Sequence, residues 1–190
     1  MGQRHLEGQG HDFRAPELGA EVPGSGTKKP RKHVIEIRDD LGEVLCKIRV
    51  ADLASGLAGA DMQGVFGYSA QLQGQNMSGA EMYWAHLTGA DLSFAILTGA
   101  DMRGAFLNDA ICRHANFRSA NLGRDNLGGR TSILGTDFTD AVLNGAILDG
   151  AVFDDRTIFP KGYHPKSHGL IHFNELASTE AIAKAHKRKK

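Results

Sequence analysis

From residue 78 to residue 107 the chain reads SGAEMYWAHLTGADLSFAILTGADMRGAFL, and alanine returns every fifth position at Ala80, Ala85, Ala90, Ala95, Ala100 and Ala105. Two places after each comes Met or Leu. Five is the period of neither regular structure. On an α-helix, five residues advance about 140° past a full turn, so Met82, Leu87, Leu92 and Leu97 would scatter around the cylinder. On a flat strand an odd period sends successive side chains to opposite faces. All of them can point inward only if the chain turns a corner every five residues and winds around its own axis.

A slower echo sets the number of sides. Gly59–Met62 reads GADM, Gly79–Met82 reads GAEM and Gly99–Met102 reads GADM, a spacing of twenty residues. Twenty over five predicts a four-sided coil in which residue i stacks on residue i+20. Such units bury their faces only against their neighbours.

The quintets ADM at 60–62, ADL at 90–92, ADM at 100–102, ANF at 115–117 and ANL at 120–122 resemble the pentapeptide-repeat family. The resemblance spans residues 55–155. It implies an all-β fold, a right-handed quadrilateral β-helix, with the central Leu, Met or Phe and the preceding Ala inside. The run DDRTIFPKGYHP at 154–165 is similar to the family's exit after the last coil. Most members have no known function; the best understood are quinolone-resistance proteins that mimic DNA and bind gyrase.

Read in frame, fifteen quintets run from Ser55 to Gly129, one extra residue falls near Gly128-Gly129-Arg130, and five more reach Asp155. That predicts about five coils, about 24 Å long at the stacking distance of strands. The expected inward columns are Leu57, Met77, Leu97, Phe117, Phe138; Met62, Met82, Met102, Leu122, Leu143; Gly67, Leu87, Leu107, Leu127, Leu148; and Leu72, Leu92, Cys112, Ile133, Phe153. Two positions break the pattern. Gly67 leaves a gap that Phe66 is expected to fill by turning inward. Asp125 stands where Ala should be buried, and an unpaired buried carboxylate is costly, so the backbone is expected to bulge there.

Around the coil, residues 1–32 are rich in Gly, Pro and charge and read as a disordered tail. Residues 33–54 read as a β-hairpin and lead-in capping the first rung, which would otherwise present an open edge. The coil domain is expected over 55–160. Residues 161–190 read as a basic, His-containing tail with a short helix from Ser178.

The zero net charge conceals an asymmetry: +2 over residues 1–32, −7 over 33–160 and +5 over 161–190. An acidic body with a basic tail can steer charged partners, and is also an ordinary solubility pattern. The two cysteines, Cys46 and Cys112, have neither metal nor disulfide spacing, which points to a reducing cytoplasm. No opening apolar run suggests a secretory leader, and no stretch suggests a membrane span.

Four groups of residues are candidate sites. Asp61, Glu81 and Asp101 form an outward carboxylate ladder, suited to a cation or to acid–base work but also the ordinary solvated position of the quintet. His164, His168 and His172 have helical metal-ligand spacing, which Pro165 and Gly169 oppose, so no metal or other cofactor is expected. Arg103, Arg113, Arg118, Arg124 and Arg130, with His114 and the basic tail, could meet phosphate, but they project from different sides of an acidic body. The unusual group is aromatic. Tyr83 and Trp84 occupy corner positions where Gly, Ser or Thr is usual, and Phe66, Tyr68, His86 and Phe106 map to the adjacent face; Phe94 projects elsewhere. Such a cluster marks either a contact surface or local cover.

No nucleophile–base pair, phosphate loop or metal quartet is visible. The expected function is therefore a non-catalytic scaffold that binds a protein partner or a second copy of itself through a coil face, with a homodimer among the possibilities. The alternatives are a DNA mimic that binds a type II topoisomerase, implied by the resemblance, and nucleic-acid contact through the Arg belt and tail.

Overall fold

The computed structural model describes residues 33–176; the tail at 1–32 and the helix expected from Ser178 lie outside them. Strands β1 (His33–Arg38) and β2 (Val44–Val50) pair antiparallel, with an irregularity between Ile37 and Arg38. Asp39 turns the hairpin by accepting from the amides of Leu41 and Glu43 at 3.0 and 2.8 Å, and Gly42 supplies a φ of 84°. Ile37, Ile48 and Val50 are buried. The Gln71 amide donates to the Arg38 carbonyl at 2.8 Å, which ties the hairpin to the first rung.

The body is a β-helix-type, mostly β fold built from single parallel bridges. Asp61 pairs with Glu81, Glu81 with Asp101, and Asp101 with Asn121; the series starting at Phe66, Gln71 and Asn76 repeat the step of twenty. Three hydrogen bonds explain each quintet. The central amide reaches the next rung (Met82 N to Asp101 O, 2.7 Å), the amide before it reaches the previous rung (Asp101 N to Ala80 O, 3.0 Å), and the following Ala closes the turn (Ala85 N to Met82 O, 3.0 Å). Residues such as Ala85, Leu87, Ala90, Leu92, Ala95 and Leu97 are fully buried. The corner residue takes the left-handed conformation, usually as Gly; Trp84 and Phe94 adopt it with φ of 55° and 59°, at about 1–2 kcal/mol each.

The structure corrects the expected frame. Phe106 pairs with Ser132, twenty-six residues on, so six residues are extra rather than one. The chain leaves the coil after Gly123 and returns at Thr131. Leu127, expected over Leu107, is 82% exposed. Every later column therefore shifts. Ile133 follows Leu107, Phe138 follows Cys112, Leu143 follows Phe117 and Leu148 follows Leu122; Phe159 follows Phe138, and Phe153 follows Ile133. Asp125 stands at the alanine position of the quintet that is left out. Phe66 is a second correction. It stays outward, 63% exposed, and the Leu87 Cδ2 atom fills the gap instead, 3.0 Å from where a Gly67 Cβ would sit.

At the far end, β3 (Val152–Phe153) pairs parallel with β4 (Ile171–His172). A 3-10 turn (Pro165–His168) precedes β4. Phe159 stacks on Phe138 and Tyr163 at ring separations of 6.1 and 5.2 Å, and His168 lies 4.4 Å beyond Tyr163. These rings close the apolar interior. No helix among the described residues is long and apolar enough to cross a membrane.

Candidate functional site: an aromatic ladder and a clamped loop

Residues at the same quintet position on successive rungs lie one strand spacing apart, about 4.8 Å. Planar side chains placed there stack. Phe66, His86 and Phe106 occupy one such series, with ring centroids 5.0 and 4.8 Å apart and interplanar angles of 17° and 21°. Tyr68 leans on this ladder, its hydroxyl 3.1 Å from His86 Nδ1. Phe66, Tyr68 and Phe106 are 63%, 47% and 37% exposed. The four side chains form one apolar strip with a polar centre, and the ring edges face outward because the faces are taken up in the stack.

Tyr83 and Trp84 form a separate pair, 4.9 Å between centroids. They grip the extruded loop. The Trp84 Nε1 donates to Asp125 at 2.6 Å, and the Tyr83 hydroxyl accepts from the Asn126 amide at 3.1 Å. Asp125 also accepts from the amides of Leu127 and Gly129 at 2.8 and 2.6 Å. With the Trp84 bond as the largest cause, these donors hold the Asp125 carboxyl below its ordinary range. Trp84 lies over Gly104, whose missing side chain makes the room: a Cβ there would stand 2.4 Å from Trp84 Cδ1. The loop was missed as a partner of the aromatics; its signal in the sequence was Asp125 at an inward position.

The remaining groups do not converge. Asp61 accepts from the Gln63 amide, Glu81 from the Gln63 side chain, and Asp101 from Arg103 at 2.6 Å, so each carboxylate has a local role. Arg103 also lies 5.1 Å above the Tyr83 ring. Gln63, Glu81, Tyr83, Asp101 and Arg103, with Asn126 and Leu127 of the loop, border a shallow cleft of ≈ 680 Å³. Arg113 pairs with Asp137, whereas Arg130 reaches the Gly150 carbonyl, so the belt is spread over different sides. His164 stands at the start of the 3-10 turn without a side-chain capping bond, His168 stacks on Tyr163, and His172 sits 3.1 Å from Asp155. No metal cluster occurs among the described residues.

Pentapeptide repeats match this chain in eight copies, over residues 68–104 and 95–124. Residues 68–124 are pentapeptide repeats. Similar solved structures include a pentapeptide-repeat protein of Nostoc PCC 7120, 28% identical, covering 51% of this chain and 84% of that one with a TM-score of 0.28. A pentapeptide-repeat protein of the Arabidopsis thaliana thylakoid lumen is 23% identical, covering 50% and 68%, with a TM-score of 0.25. QnrB1, a plasmid-mediated fluoroquinolone resistance protein, is 16% identical, covering 67% and 84%, with a TM-score of 0.26. No curated protein matches the chain. The pentapeptide-repeat coil accounts for where the aromatic ladder stands, since its step of twenty brings the three rings into line.

Proposed function

We propose that this chain is a non-catalytic pentapeptide-repeat scaffold, and that its coil is the right-handed, four-sided β-helix of about five turns. It binds a protein surface, that of another protein or of a second copy, through the face carrying Phe66, Tyr68, His86 and Phe106, with Tyr83 and Trp84 at its border. The observation that carries this reading is the exposed ladder. Three rings stand in register on one face, at positions that elsewhere in the coil carry either a polar residue, such as Asp61, Asn76 and Gln71, or a single aliphatic one, such as Ile96 and Ile111, but no other aromatic. The closure of the coil does not require them, because the inward columns are already filled by Leu87 and Leu107. Exposed aromatic side chains such as Phe and Tyr are enriched in the cores of protein interfaces. The two unpaired cysteines support a reducing, cytoplasmic setting.

The test is the double substitution Phe66→Ser, Phe106→Ser. The melting temperature should stay within a few degrees of the native chain's, while self-association in sedimentation, or recovery of a protein partner from a native lysate, should fall. Unchanged association and partner recovery with a folded double variant would overturn the reading. Inhibition of gyrase supercoiling by the native chain, with no protein partner recovered through this face, would instead favour the DNA-mimic alternative.

A further inference from the structure

Two consecutive quintets in the sequence are nearly the same. Residues 120–124 read ANLGR and residues 125–129 read DNLGG. The first lies in the coil, with Ala120 and Leu122 fully buried; the second lies outside it, with Leu127 82% exposed. They share Asn-Leu-Gly, and the second adds Gly129 at the fifth, corner position, so it carries the central Leu and a residue permissive of the corner conformation. What differs at its inward position is Asp125 in place of Ala120.

We propose that Asp125 is a register lock: its carboxylate keeps a quintet that is otherwise fit for the coil outside it, and so decides which face every later residue occupies. In the observed register the carboxylate is met from three directions, by Trp84 Nε1 and the amides of Leu127 and Gly129. Gly129 admits no side chain, since a Cβ would stand 2.2 Å from Asp125 Oδ2. Thr131 seals the coil where the loop departs. Its buried hydroxyl lies 3.1 and 3.0 Å from the carbonyls of Met102 and Gly123 and accepts from the Gly104 amide at 3.0 Å. Further along, Asp137 stands over Ile111 and receives Arg113 at 2.6 Å, and Arg156 reaches Asp109.

The competing register follows from the same quintet rules. With DNLGG in the coil, Leu127 would cover Leu107 and Ile133 would cover Cys112. Asp137, Val142 and Ile147 would each move to the neighbouring face. The surface of the last rungs would be rewritten without a change in the inward residue types. Entry requires Asp125 to replace a buried alanine with a carboxylate in an apolar interior, and that is what excludes it. Removing the charge removes the exclusion.

The experiment compares Asp125→Ala with the native residue, in a Cys46→Ser chain, because Cys112 is fully buried. A thiol introduced by Leu127→Cys should react with maleimide as an exposed group when Asp125 is present. With Asp125→Ala its reaction should slow about ten-fold or more, as for a group that needs local opening. Paired cysteines report the register itself. The pair Phe106→Cys, Ser132→Cys should cross-link with Asp125 present, and Ile111→Cys, Ser132→Cys should take over with Asp125→Ala. A second background deletes Arg130, which leaves the quintets uninterrupted; there too Asp125 should hold the 106–132 pairing and Asp125→Ala should give 111–132. If labelling and cross-links are the same with and without the carboxylate, the lock does not exist. Failure of Asp125→Ala to fold in both backgrounds also overturns it, since a coil-competent quintet would have been accommodated.

Discussion

The indole N–H of Trp84 donates to the carboxylate of Asp125 at 2.6 Å, across 41 residues of sequence. One residue belongs to a corner of the coil and the other to the segment that leaves it. Trp84 is the chain's single tryptophan, so its fluorescence reports this contact. Trp84→Phe keeps a ring over Gly104 and removes the donor. We expect a lower melting temperature and faster amide exchange at Leu127 and Gly129, whose amides share the carboxylate. Native exchange rates at those two amides would show that the indole does not hold the loop.

Gly104 should be intolerant of any side chain. Its φ is +70° and a Cβ would stand 2.4 Å from Trp84 Cδ1. Gly104→Ala combines a left-handed backbone with displacement of the indole, and we expect a loss of about 2–5 kcal/mol in urea unfolding. Gly64→Ala is the control. It has a φ of +59° but open space around a Cβ, so it should cost only the backbone term, about 1–2 kcal/mol. Equal losses at the two positions would separate Trp84 from the effect.

Leu97 is fully buried between Met77 and Phe117, its amide bonded to the Asn116 carbonyl at 2.8 Å. Leu97→Ala should cost about 2–5 kcal/mol. Leu97→Asp places an unpaired charge in a column without polar partners and should abolish the cooperative unfolding transition. A native circular dichroism spectrum and melting temperature for Leu97→Asp would contradict the inward assignment.

Acid should weaken the fold through depressed carboxylates. The Trp84 indole, chiefly, holds Asp125 low. The Arg103 guanidinium, chiefly, does the same for Asp101. At Asp137 burial pushes upward, but Thr139 and Arg113 more than offset it and the carboxyl ends low. A group lowered on folding adds stability above its unfolded value, about 3.9 for Asp, and loses it as pH falls through the folded value. The contribution of these carboxylates to unfolding free energy should therefore be flat between about pH 5 and pH 8 and decline below about pH 4. Asp125→Asn should flatten part of that decline. An acid profile identical to the native chain's would remove Asp125 from the account.

The repeat of five within twenty determined the coil by itself. Side chains at Ala85, Leu87, Ala90 and Leu92 can all be buried only if the backbone turns at each interval, so the parallel step from Asp61 to Glu81 to Asp101 was legible before any coordinate. The positions of His86 and Phe106 on one face followed from the same arithmetic, whereas Phe66, expected to turn inward, joins them only in the structure. Pattern alone did not determine the register beyond Gly123. Asn-Leu-Gly reads equally well at 121–123 and at 126–128, and a one-dimensional frame carries no term for a partner 41 residues away. Only the tertiary structure decided that Leu127 stands in solvent while Ile133 covers Leu107, because a carboxylate at 125 is stable beside Trp84 and the loop amides and not in an apolar column. The same is true of Gly67: filling its gap from Leu87 rather than Phe66 depends on packing between rungs, which the order of residues within one quintet does not encode.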